Sequence, residues 1–165
     1  REGKYATYER IGNSFFGRID RPVVFFNTSR GEVVDDRALK QALDRGKISF
    51  CALDVWQHEP HIDPWLLGQA DIATPHIAGY SRQGKANGTS MIVRAFARFA
   101  GIEALKRWYP EGVNPDIRWD TPSFAALKRE MPRYYDIMAD SRQLKEHPES
   151  FETLRNRYAY REEFF

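Results

Sequence analysis

Short apolar runs separated by polar turns fill the first half of the chain, and three- and four-residue periodicities take over in the second. Val23-Val24-Phe25-Phe26, led by Pro22, has the length and composition of a strand, predicted over Val23–Asn27. Ahead of it, a short helix is expected to end near Phe15-Phe16-Gly17. Behind it, Ala38, Leu39, Ala42 and Leu43 recur at helical spacing. Asp35-Asp36 cap that helix, which runs to about Asp44, with Gly46 as its stop. A second strand is predicted over Ser49–Val55, one helical turn at Trp65-Leu66-Leu67, and a short strand over Ile72-Ala73-Thr74 halted by Pro75. Strand–helix–strand alternation of this kind predicts a parallel sheet with crossover helices.

From Gly84 the pattern changes. Met91, Ile92, Ala95, Phe96, Phe99 and Ala100 recur at three- and four-residue steps, predicting an amphipathic helix that ends near Gly101. A Pro-, Gly-, Asn- and Asp-rich connection follows over Tyr109–Asp120, and residues 123–165 read as polar, aromatic and helical.

Composition narrows the class. The chain has 165 residues, 42% hydrophobic and 29% charged, with a net charge of +2, which describes a globular protein. Acids and bases are interspersed without a basic run, so no nucleic-acid partner is expected. No apolar run approaches the roughly 20 residues that span a bilayer, so no membrane partner is expected either. The single cysteine, Cys51, lies inside an apolar run and reads as a small buried hydrophobe, which fits a reducing, cytoplasmic setting.

Three chemistry-bearing side chains stand just beyond predicted strands: Arg30 in "NTSRG", Glu59 in "ALDVWQHEP" and His76 in "TPHIAGY". The carboxyl ends of parallel strands share one sheet edge, so neighbouring strands bring these residues together. The trio suits oxidation of a hydroxy acid. An imidazole takes the hydroxyl proton, a carboxylate orients it, and a guanidinium holds the substrate carboxylate in a fork. Hydride needs a cofactor as acceptor, because no side chain does that chemistry. His58 and His61 flank the same loop without a third ligand nearby, so no metal is expected.

The motifs "NTSRG-VVD--AL", "ALDVW--EP" and "TPHIAG", in this order and spacing, resemble the D-2-hydroxyacid dehydrogenase family. The resemblance implies that Arg30, Glu59 and His76 are the catalytic set, and that NAD is the cofactor. It implies that Thr28, Ser29, Arg30, Asp54 and Gly79 line the cofactor site and that Tyr80 meets substrate. The stretch "TPHIAGYSRQGKANGT" resembles the branch of the family that acts on a phosphorylated hydroxy acid, which makes the cations Arg82 and Lys85 of interest. Other substrates of the family, phosphoglycerate or glyoxylate, and a non-catalytic NAD-sensing scaffold are the rival readings.

The resemblance also sets the expected architecture. It is an α/β fold, the second half of a Rossmann-type parallel-sheet NAD-binding domain over residues 1–108, then an incomplete α+β dimerisation domain over 109–165. A homodimer is expected through the helix near residues 85–104 and the C-terminal segment. The glycine-rich pyrophosphate turn and its acidic ribose partner are not in this sequence. The expected chain therefore keeps the catalytic residues but not the phosphate cradle, and exposes apolar surface where its sheet is cut.

Overall fold

A computed structural model describes Gly3, residues 6–114 and residues 123–163. Three parallel strands form the sheet, in the order β1 (Val23–Asn27), β2 (Ile48–Leu53) and β3 (Ile72–Ala73). Phe25 pairs with Cys51, and Leu53 with Ala73. β2 stops two residues before the expected Val55, because Asp54 turns its carboxylate and carbonyl onto the loop that follows β3. β3 stops before Thr74, next to Pro75, which has no N–H for a ladder.

The contacts divide the chain into two compact units: Arg1–Ala78 with Ile137–Tyr158, and Gly79–Asp136 with Ala159–Phe165. This differs from a single division at 108/109, because a late segment folds with the sheet. In the first unit α1 (Asn13–Gly17) is closed at its C-terminal end by Lys47. Its ammonium donates to the carbonyls of Phe16 at 2.9 Å and Ile19 at 3.1 Å. α2 (Asp36–Asp44) is capped by Asp35, whose Oδ1 accepts from the Arg37 and Ala38 N–H groups. It buries Ala38, Leu39 and Ala42, as the spacing predicts, and Gly46 follows with φ 66°. α3 (Pro64–Gln69) starts on Asp63 as cap, with proline at its first position.

The late segment closes the free side of β3. α6 (Ile137–Glu146) places the Ser141 hydroxyl 3.0 Å from the Ala73 N–H, which has no strand neighbour to bond. Leu144 and Phe151, the latter opening α7 (Phe151–Asn156), are fully buried in the same core as Phe25, Cys51 and Leu66.

The second unit is built on α4 (Arg82–Ala100), capped by the Ser81 hydroxyl and ended by left-handed Gly101 at φ 70°. α5 (Phe124–Tyr134) begins on Ser123. Among the described residues after 109 there are helices and a lone bridge at Arg161, and no strand ladder of the kind an α+β domain implies. Of the connection expected over 109–120, residues 115–120 lie outside the described residues. No described helix is long and apolar enough to cross a membrane.

Candidate active site

Every strand of the sheet ends in a loop that carries one of the expected residues. At the end of β1, buried Asn27 turns the chain. Its Oδ1 accepts from the Ser29 N–H and hydroxyl at 3.2 and 3.0 Å, and its Nδ2 donates to the Arg30 carbonyl at 3.1 Å. This local network leaves Thr28, Ser29 and Arg30 exposed at the carboxyl end of the strand. Gly31 then passes against the next loop. A Cβ there would stand 2.0 Å from the carbonyl carbon and oxygen of Trp56, an approach only glycine allows.

At the end of β2, Asp54 is 4% exposed and anchors the loop that bears the histidine. Its Oδ1 accepts from the Thr74 hydroxyl at 2.7 Å and the Ile77 N–H at 2.8 Å, and its Oδ2 accepts from the Ala78 N–H at 3.0 Å. Its carbonyl accepts from the His76 N–H at 2.7 Å. Trp56 adds a second tie, donating from Nε1 to the Thr74 carbonyl at 3.0 Å. The ties hold His76 at φ 58°, a left-handed backbone that costs a non-glycine residue about 1 kcal/mol or more.

Glu59 and His76 meet. Glu59 Oε2 lies 2.8 Å from His76 Nδ1, while Oε1 accepts from the Trp56 N–H at 2.9 Å. Both side chains are mostly sheltered, at 18% and 21% exposed. With Nδ1 engaged, Nε2 is the ring nitrogen left to exchange a proton. Arg30 lines the same cavity, of about 330 Å³, together with Glu59, His76, Tyr8 and Trp56. A guanidinium and a carboxylate–imidazole pair at one cavity can bind an anion and move a proton.

Gly79 and Tyr80 belong to the second unit, where the Tyr80 ring meets Tyr160 at 5.5 Å and carries the Lys85 ammonium at 4.3 Å. Arg82 is paired there with Glu162 at 3.0 Å. Three contributors escape a sequence reading: Asn27, Trp56 and Arg155. Asn27 sits in the strand-end motif, where its turn-forming habit is a usable signal. Arg155 reaches Glu59 Oε2 at 3.7 Å from 96 positions away, and nothing local announces it.

Comparison with known proteins bears on this geometry. Residues 3–78 match the family described as D-isomer specific 2-hydroxyacid dehydrogenase, NAD binding domain. The chain is 43% identical over 165 residues to the erythronate-4-phosphate dehydrogenase of Bacteroides thetaiotaomicron, covering 99% of this chain and 46% of that protein. It is 44% identical to that of Bacteroides fragilis strain ATCC 25285, covering 99% and 46%. With that of Pectobacterium carotovorum it shares 36% identity, covering 99% and 45%. The chain thus spans less than half the length of the curated relatives it matches.

Proposed function

We propose, from the match of residues 3–78 to the NAD-binding domain of the D-isomer specific 2-hydroxyacid dehydrogenases, that this protein is a member of that family and oxidises 4-phospho-D-erythronate to (R)-3-hydroxy-2-oxo-4-phosphooxybutanoate, a step of pyridoxine 5′-phosphate biosynthesis. The observation that carries the chemistry is the Glu59–His76 pair at 2.8 Å, in a cavity that Arg30 also lines. The identity to relatives named for this reaction supports the substrate. The cytoplasm is the proposed setting, where a lone thiol such as Cys51 stays reduced.

In this reading His76 accepts the hydroxyl proton at Nε2. Glu59 holds Nδ1, fixing the tautomer and stabilising the imidazolium that forms. Arg30 binds the substrate carboxylate and the oxygen that becomes the carbonyl. NAD, when bound, supplies the hydride acceptor. Thr28, Ser29, Arg30 and Asp54 would hold its nicotinamide end. Their chemistry fits, since the Thr28–Arg30 turn is exposed at the strand ends and Asp54 Oδ2 accepts one described hydrogen bond where it can take two. Gly79 as a further cofactor contact and Tyr80 as a substrate contact rest on the family resemblance.

NADH formation from NAD and 4-phosphoerythronate, followed by absorbance, tests the proposal. Turnover of that substrate, with little response to lactate or glycerate, is the expected result. Turnover of another 2-hydroxy acid in its place would leave the family and remove the substrate. We propose also that the protein acts as a homodimer, supported by the apolar face that α4 exposes: Met91, Ile92, Phe96 and Phe99 are 58% to 91% exposed.

A further inference from the structure

The site as read so far holds one guanidinium for one carboxylate, yet the proposed substrate carries a second anion, its phosphate. A phosphate in a sheltered pocket needs a cation of its own. The two cations that the sequence suggested are engaged in the second unit, Arg82 by Glu162 and Lys85 by the Tyr80 ring. Arg155 is placed differently. It stands on α7, in the same compact unit as Glu59 and His76, and lines the cavity that holds them.

Its contacts leave most of its capacity unspent. A guanidinium has five N–H donors in a planar fork. Arg155 Nη1 lies 3.7 Å from Glu59 Oε2, an ionic contact too long for a hydrogen bond. Its Nε is closed to solvent and bonds no described residue. Glu59 is satisfied without it, one oxygen on His76 and the other on the Trp56 N–H. An arginine kept only to brace Glu59 would present its fork to the carboxylate. This one stands off at the cavity wall with its Nη donors unspent, and the complement of such a group is a ligand's anion.

We infer that Arg155 is the second anion-binding residue of the site and holds the substrate's phosphate while Arg30 holds its carboxylate. The inference rests on the substrate reading above. Its test compares kcat/KM for 4-phosphoerythronate and for erythronate, which lacks the phosphate, in the protein at its natural length and in Arg155→Met. The preference for the phosphorylated substrate should fall about 10- to 100-fold, carried by KM, because a hydrogen-bonded charge pair is lost. An unchanged preference, with both substrates losing kcat alike, would show Arg155 acting through Glu59 and overturn the inference. Should Arg155→Met not fold, Arg155→Lys keeps the charge and loses the fork. Its KM for 4-phosphoerythronate should rise severalfold, and an unchanged KM overturns the inference too. Failure of the unaltered protein to oxidise 4-phosphoerythronate would strike the substrate reading itself, a separate outcome.

Discussion

His76 draws its capability from neighbours more than from itself. Its backbone is fixed in a left-handed conformation by Asp54, and its ring is fixed by Glu59, so Nε2 is presented without further ordering. His76→Asn removes the proposed proton acceptor and keeps a residue that tolerates φ near 58°. Turnover should drop about 10²- to 10⁴-fold while NAD affinity changes little; near-normal turnover would end its assignment as the base. Asp36 offers a different test. Burial first, and then the Asp63 carboxylate, push its carboxyl up to about 6. A carboxyl raised above its unfolded value of about 4 favours folding only while protonated. That contribution is complete below about pH 4 and is lost as pH rises through about 6. Two units correspond to about 2.7 kcal/mol, and screening of this partly exposed group reduces that to about 1 kcal/mol. Asp36→Asn should therefore stabilise the fold by about 1 kcal/mol near pH 8 and by nothing near pH 4. Thermal melts at both values check this, and an equal gain at each would contradict it.

At the scale of elements, the strand-end loops are tied to one another before any ligand arrives. Gly31 marks the tightest crossing, its Cα against the Trp56 carbonyl. Gly31→Ala puts a methyl where backbone already lies, and backbone cannot step aside as a flexible side chain can. The cost should be about 3 kcal/mol or more, read as a lower denaturation midpoint; a variant as stable as the parent would mean that the two loops are not held together. The same elements show what a sequence discloses. β1, α2 and the end of α4 were legible within a residue or two, because each carries a local signal: an apolar run for β1, Asp35 and Gly46 for α2, and an apolar period stopped by Gly101 for α4. The meeting of Glu59 with His76 was legible too, since parallel strands put their ends on one edge. Boundaries set by long-range bonds were not. β2 ends early because Asp54 answers to residues 74–78, and Asp54 proves as much a loop anchor as a cofactor candidate. The place of Ser141 on β3 and of Arg155 near Glu59 depends on which late helix returns to the sheet, and no local pattern in the sequence encodes that return.

Each unit keeps an apolar face that its described residues leave exposed, and the two faces should behave differently. On the sheet, Val24 and Phe26 point away from the core that Phe25 enters, and are 56% and 63% exposed. Sheets of parallel strands are ordinarily covered on both faces. Phe26 meets the Phe50 ring in a tilted contact, with ring centroids 6.1 Å apart. A face two strands wide with so few anchors should hold dye or neighbouring chains weakly and without fixed stoichiometry. On α4 the exposed residues fall on one stripe of a long capped helix, and Phe99 is 91% exposed. A helix presenting large apolar side chains along its length can pack against its own copy about a two-fold axis, since each copy offers the same stripe. Sedimentation over a range of concentrations separates the two faces. Ile92→Glu with Phe99→Glu should turn a discrete dimer into a monomer and leave the melting temperature of the monomer nearly unchanged, because neither side chain is buried within the chain. Val24→Thr with Phe26→Thr should lower binding of a hydrophobic dye and leave the dimer in place. If the sheet pair abolishes the dimer and the helix pair does not, association runs through the sheet and the role proposed for α4 fails.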